Sequence, residues 1–144
     1  DFKFDNLMFE IGEEINVNAV LDWEMVTIGD PLMDLGTSLG YWIHETDPEI
    51  IKKLKLNITF LKGIPSREQL VDLYGEKSGR SVKNVIFYFV FGLFKIAGIV
   101  QQIYYRYKKG LTKDERFKNL DKGVKLLGIM ANQAIQKRKI DYLF

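Results

Sequence analysis

Residues 20–36 read VLDWEMVTIGDPLMDLG, and a strand gives way to a helix inside them. Val20-Leu21 closes an extended run, and Asp22-Trp23-Glu24 follows without a spacer. Gly29-Asp30-Pro31 is a helix start: Asp30 can accept from the first free N–H groups, and Pro31 suits the first helical position. Leu32, Leu35, Leu39 and Ile43 then recur at helical spacing.

Upstream, Leu7-Met8-Phe9-Glu10-Ile11 reads as a short strand and Gly12-Glu13-Glu14 as a turn. Ile15 to Leu21 alternates apolar and polar residues until its end, as a half-buried strand does. These two runs form a hairpin. Everything downstream reads as helix. Pro48 to Leu61 places Ile50, Ile51, Leu54, Ile58 and Leu61 on one side. Ser66-Arg67-Glu68-Gln69 is a capping box opening a helix through Leu70, Leu73 and Tyr74, stopped near Gly79. Val82 to about Lys108 is a long helix, apolar around most of its first half, which predicts a place in the middle of the domain. Thr112-Lys113-Asp114-Glu115 reads as a second capping box, starting a last helix with Leu120, Val124, Leu127, Ala131 and Ile135 aligned. No internal repeat breaks the series. The expected fold is α+β and mostly α: one domain over 1–144, a small antiparallel hairpin followed by a helical bundle.

Composition narrows the function. A formal charge of +2, with no basic stripe interleaved with aromatics, points away from nucleic acid. Lys137-Arg138-Lys139 is read as a solvated helix end. The absence of cysteine excludes disulfides, thiolate metal sites and a cysteine nucleophile, and is compatible with the cytoplasm. Val85 to Phe94 is strongly apolar but closed by Asn84 and Lys95. A run so much shorter than the ~20 residues of a membrane span predicts a buried core helix and no membrane partner. The first residues, Asp-Phe-Lys-Phe-Asp, carry no signal-peptide pattern.

Three constellations carry chemistry. Asp1 and Asn6 have the D-x-x-x-x-N spacing of a kinase catalytic loop, which must face one carboxylate to a substrate hydroxyl and one amide oxygen to a magnesium ion. Asp22 ends a strand just after a hairpin, where a carboxylate can hold a hard cation, and the hairpin returns it toward Asp1 and Asn6. Asp30 and Asp34 open the following helix. Taken singly, each also reads as a capped turn, a strand-end acid and a helix cap.

In order, DFKFDN, VLDWE and GDPLMDLG resemble the aminoglycoside phosphotransferase and choline kinase superfamily, whose fold is protein-kinase-like. VLDWEMVTIGDPLMDLG and the later FKIAGIVQQIYYRYKKG are most similar to the kinase-like domain of acyl-CoA dehydrogenase family 10 and 11 proteins and bacterial relatives. The resemblance implies the C-terminal, catalytic and acceptor-binding lobe of a phosphotransferase that moves a phosphoryl group from ATP (or GTP) to a hydroxyl with Mg2+. Asp1 would orient or deprotonate the acceptor hydroxyl, and Lys3 would lie near the transferred phosphate. Asn6 and Asp22 would hold the metal and nucleotide, while Asp30 and Asp34 would support the site. Trp42 and Tyr104 are candidates for the acceptor pocket.

The family's nucleotide-binding N-terminal lobe and its Gly-rich loop have no counterpart in these residues, so that lobe is expected as a partner and the segment alone is expected to be inactive. The acceptor is expected to be a small molecule: a hydroxyacyl thioester, an amino alcohol, a sugar or an aminoglycoside. Lys and Arg outnumbering acids after position 50 speak against the polycationic last class. Apolar residues around the hairpin are expected to be exposed or covered by a neighbour, including a second copy of the chain. The competing reading is a non-catalytic helical interaction module derived from a kinase lobe. His44 is read as a polar helix-end residue, Tyr88 as core, and Lys95 as paired with Asp34 or extended to solvent.

Overall fold

The computed structural model describes residues 2–53 and 57–144. Two strands, β1 (Leu7–Ile11) and β2 (Ile15–Val20), precede five helices: α1 (Pro31–Tyr41), α2 (Glu49–Lys53), α3 (Arg67–Ser78), α4 (Val85–Lys108) and α5 (Leu120–Lys137). The fold is α+β and mostly helical, with the hairpin first, as the sequence predicts.

The hairpin is antiparallel. Leu7 pairs with Val20 and Met8 with Ala19, then the register slips so that Phe9 meets Val17. Asn18 is the extra residue, and a bulge of this kind sharpens the local twist next to the strand ends. The hairpin is far more exposed than alternation implies, with Ile11 88% and Ile15 73% accessible. The apolar exposure expected around it is present, and it continues through Trp23, Val26 and Ile28.

The core lies among the helices. Leu35 and Leu39 of α1, Phe89, Leu93, Ile96 and Val100 of α4, and Leu127, Met130 and Ala134 of α5 are buried together. Burial of one stripe per helix supplies the main stabilisation. Glycines set how closely α1 and α4 cross. A Cβ on Gly36 would sit 2.2 Å from the Tyr88 carbonyl oxygen, and one on Gly92 would sit 2.2 Å from that of Gly36. This backbone-to-backbone approach fixes α1, and hence the residues at its N-terminus, against α4.

Several expected elements differ. The helix expected over Pro48–Leu61 is α2 alone among the described residues; Leu54 lies outside them, and Ile58 and Leu61 are exposed. The reason is tertiary: the Thr59 hydroxyl donates to the Ile43 carbonyl at 2.9 Å and accepts from the Ile43 N–H at 2.8 Å, tying this segment to the end of α1. The box at Thr112–Glu115 does not start α5. Asp114 instead accepts from the Arg116 N–H and caps a 3-10 turn at Glu115–Phe117, and α5 begins at Leu120. The buried stripe of α5 runs through Gly123, Leu127, Met130 and Ala134, leaving Ile135 exposed. α4 packs against α1 and α5 but is not enclosed: Phe87 and Phe94 face outward. By length and composition alone α4, which holds an 18-residue window of mean hydropathy 1.7, would suffice to cross a membrane. The box at Ser66–Gln69 and the stop at Gly79 are as expected.

Arg67 has 0% exposure. Its guanidinium pairs with Asp47, donates from Nε to the Trp42 carbonyl at 2.8 Å and from a terminal nitrogen to that of Ile140 at 3.1 Å, and lies 3.6 Å from Asp141. Asp141, also buried, accepts from the Arg67 and Glu68 N–H groups and so caps α3 from the C-terminal tail. The ring of Phe89 lies 5.6 Å from the guanidinium. This buried network ties the loop after α1, the start of α3 and the tail into one unit.

Candidate active site

The site is built where the hairpin closes. The chain before β1 makes a 3-10 turn at Phe4–Asn6, anchored by the Ser38 hydroxyl donating to the Phe2 carbonyl at 2.6 Å. The Leu21 N–H donates to the Asn6 carbonyl at 2.8 Å, so the residue entering the hairpin holds the residue leaving it. Asp22 comes next and is brought to Asn6: the Asn6 amide donates to the Asp22 carboxylate at 3.3 Å across 16 positions.

Asp22 has φ 67 and ψ 51, a left-handed conformation. Such a conformation is uncommon for a residue with a side chain, although Asp is among those that tolerate it, and it costs of order 1 kcal/mol. It swings the chain out of β2 and turns the carboxylate toward Asn6. The Trp23 indole N–H donates to the Val20 carbonyl at 2.5 Å and secures this turn.

Asp30 caps α1, accepting from the Leu32 N–H at 3.0 Å and from the Tyr88 hydroxyl at 2.5 Å. The Tyr88 bond, then the backbone bond, holds the Asp30 carboxyl below its ordinary value. The same bond, with desolvation, raises Tyr88. Tyr88 is half-buried and links α4 to the start of α1.

These pieces border an open cleft of about 750 Å3. Its walls include Phe2, Asp22, Asp30 and Asp34 beside Phe91 and Lys95 of α4. Asp22, Asp30 and Asp34 are thus brought to one depression, with Asn6 bonded at its edge. The other candidates stand elsewhere. Lys3 places its ammonium 5.6 Å from the centre of the Tyr41 ring. Trp42 donates its indole N–H to the Pro65 carbonyl at 2.9 Å and packs on Phe4 at 5.6 Å, and neither it nor Tyr104 lines the cleft. Asp1 lies outside the described residues. His44 is buried, its ring against Tyr142 and its Nδ1 2.7 Å from the Thr46 hydroxyl. Tyr88, read as core, instead reaches Asp30. Its signal was the position Asp30 takes at the helix start, but the partner lies 58 positions away.

The donor set suits magnesium. Asn6 and Asp22 offer an amide oxygen and a carboxylate, both hard donors, and magnesium commonly takes only one or two protein oxygens with the rest from water and phosphates. Among the described residues no group of three His, Cys, Asp or Glu side chains forms a self-sufficient metal site.

A strained strand-end carboxylate is thus held to an asparagine, ahead of the GDP helix start. The family model described as "Phosphotransferase enzyme family" matches residues 1–57, so the resemblance read from the motifs is borne out there. The relatives extend over more of the chain. Acyl-CoA dehydrogenase family member 11 of Rattus norvegicus is 39% identical over 118 residues, covering 80% of this chain and 15% of that protein. Acyl-CoA dehydrogenase family member 10 of Mus musculus is 35% identical over 136 residues, covering 93% of this chain and 12% of that protein. The chain therefore spans only about 15% of the length of the curated relatives it matches. No solved structure matches it.

Proposed function

We propose that this chain is the catalytic and acceptor-binding lobe of an ATP-dependent phosphotransferase acting on a hydroxyl of a small molecule, with GTP as the other candidate donor. The observation that carries the reading is the Asn6–Asp22 pair, joined across the hairpin at the border of the cleft. In this reading Asn6 and Asp22 hold Mg2+, which neutralises charge on the phosphates when bound. Asp1 takes the role of accepting the proton of the acceptor hydroxyl. As the hydroxyl oxygen bonds to the terminal phosphorus, the bond from that phosphorus to the bridging oxygen breaks, the nucleoside diphosphate leaves, and the hydroxyl proton passes to the Asp1 carboxylate. Asp30 and Asp34 shape the start of α1. The nucleotide-binding lobe is supplied by other parts of the full-length protein, which we place in the cytoplasm. Of the acceptor classes, the similarity to the acyl-CoA dehydrogenase family proteins favours a hydroxyacyl thioester over an amino alcohol, a sugar or an aminoglycoside.

The test is a screen of the full-length protein against a panel of hydroxyl acceptors with ATP and with GTP. Nucleotide-dependent formation of a phosphorylated acceptor is expected. Failure of every acceptor with both nucleotides and Mg2+ would remove the proposal.

A further inference from the structure

Lys95 stands apart from the other charged groups of the cleft. It ends the most apolar stretch of the chain, and it lines the cleft one helical turn after Phe91. Met33, Asp34 and Thr37 of α1 line it too. The two helices advance in the same direction through their crossing, since Gly36 meets Tyr88 and Gly40 meets Ile96. Lys95, next to Ile96, therefore lies toward the Thr37 end of the cleft. Phe2, held there by Ser38, borders the same end.

Lys95 was expected either to pair with Asp34 or to extend to solvent. It is exposed to the cleft, and among the described residues it makes no hydrogen bond or ion pair. Of the cleft carboxylates, Asp22 is bonded to Asn6 and Asp30 to Leu32 and Tyr88, and none of the three, Asp34 included, pairs with Lys95. An ammonium group has three donors and no acceptor. Phe91 and Met33 beside it offer no acceptor, and apolar walls strengthen its field on whatever enters. The chemistry that fits is an anionic oxygen.

We propose that Lys95 is an anion-binding residue of the cleft, taking a phosphate or carboxylate oxygen of a bound reactant. This rests on reading the cleft as the reactant site. It also gives the cleft a charge preference, because a cationic end group on an acceptor would meet Lys95 unfavourably. The preference is local to the Lys95 end, since Asp22, Asp30 and Asp34 line the rest of the cleft.

The experiment is calorimetric titration of the full-length protein, its Lys95→Met variant and its Lys95→Arg variant. The probes are magnesium–ATP, hydroxyhexanoate and the neutral hexanediol of matched length. Lys95 is exposed, so both variants should fold, and equal thermal midpoints check this. Lys95→Met should weaken at least one anionic probe by roughly tenfold or more, the range for a hydrogen bond to a charged group. Lys95→Arg should retain it, and hexanediol should bind all three proteins alike. Loss confined to magnesium–ATP assigns the oxygen to phosphate, and loss confined to hydroxyhexanoate assigns it to the acceptor. The inference is overturned if neither anionic probe binds, or if both bind Lys95→Met as tightly as the wild type. Lys95-dependent binding without phosphoryl transfer would spare this inference and remove the proposed function. Transfer indifferent to Lys95 would do the reverse.

Discussion

Two regions of the molecule, the buried cluster around Arg67 among the helices and the border of the hairpin around Asp22, solve opposite problems. Around Arg67 every charge is buried and satisfied: two aspartates, two backbone carbonyls and an aromatic ring surround one guanidinium. Around Asp22 the backbone sits in a strained conformation, with the carboxylate bonded to the Asn6 amide and bordered by exposed apolar side chains. The first arrangement resists change. The second leaves oxygen atoms available to a ligand. The comparison teaches that stability in this fold comes from the helical end, while the hairpin end leaves a carboxylate and apolar side chains open.

Breaking the stable end should have the largest effect on folding. Arg67→Met leaves Asp47 and Asp141 buried with no cation and should cost about 3–5 kcal/mol. Chemical denaturation of the variant checks this, and a loss below about 1 kcal/mol would show that the network is dispensable.

The glycine crossing joins the two regions. Gly36→Ala forces a Cβ onto the Tyr88 backbone, which cannot yield as a side chain would, and should cost about 1–3 kcal/mol or more. It should also disturb the cleft, because Asp34 lies two residues before Gly36. A variant with unchanged midpoint would mean that α1 and α4 separate freely.

The smallest effect is expected at Tyr88. Asp30 is held below its ordinary value of 3.8 and Tyr88 above its ordinary value of 10.0 by their mutual bond. A depressed acid stabilises above its unfolded value and stops doing so as pH falls through its folded one. A raised tyrosine stabilises below its unfolded value and stops as pH rises through its folded one. Tyr88→Phe should therefore lower the denaturation midpoint slightly between those two limits, and the difference from wild type should close at lower pH. A difference that persists unchanged well below 3.8 would assign it to packing.

What the sequence disclosed follows the same division. The hairpin, the Asp30 cap, the Ser66 box and the Gly79 stop are local, and each was legible from neighbouring residues. Asp22 was legible as a candidate through the motif, but its left-handed backbone was not, because nothing nearby in sequence demands it. Arg67 was hidden: as the first residue of a capped helix it looks like surface, and its partners lie 20 and 74 positions away. The helix expected over Pro48–Leu61 had the right period but lost to the Thr59 hydroxyl. The start of α5 was misplaced because Asp114 found a nearer use for its carboxylate in Arg116. Trp42 and Tyr104 were expected at the acceptor pocket through the family resemblance; the cleft beside Asp22 is lined by Phe91 and Lys95 and by neither of them.

The claim that the hairpin end exists for chemistry is tested most directly by Asp22→Gly in the full-length protein, read for folding and for phosphoryl transfer on the same sample. Glycine accepts the left-handed backbone without strain, so the thermal midpoint should hold or rise. Transfer should fall by roughly a hundredfold or more with the carboxylate gone. A variant that keeps its midpoint and transfers phosphate at the wild-type rate would contradict the account.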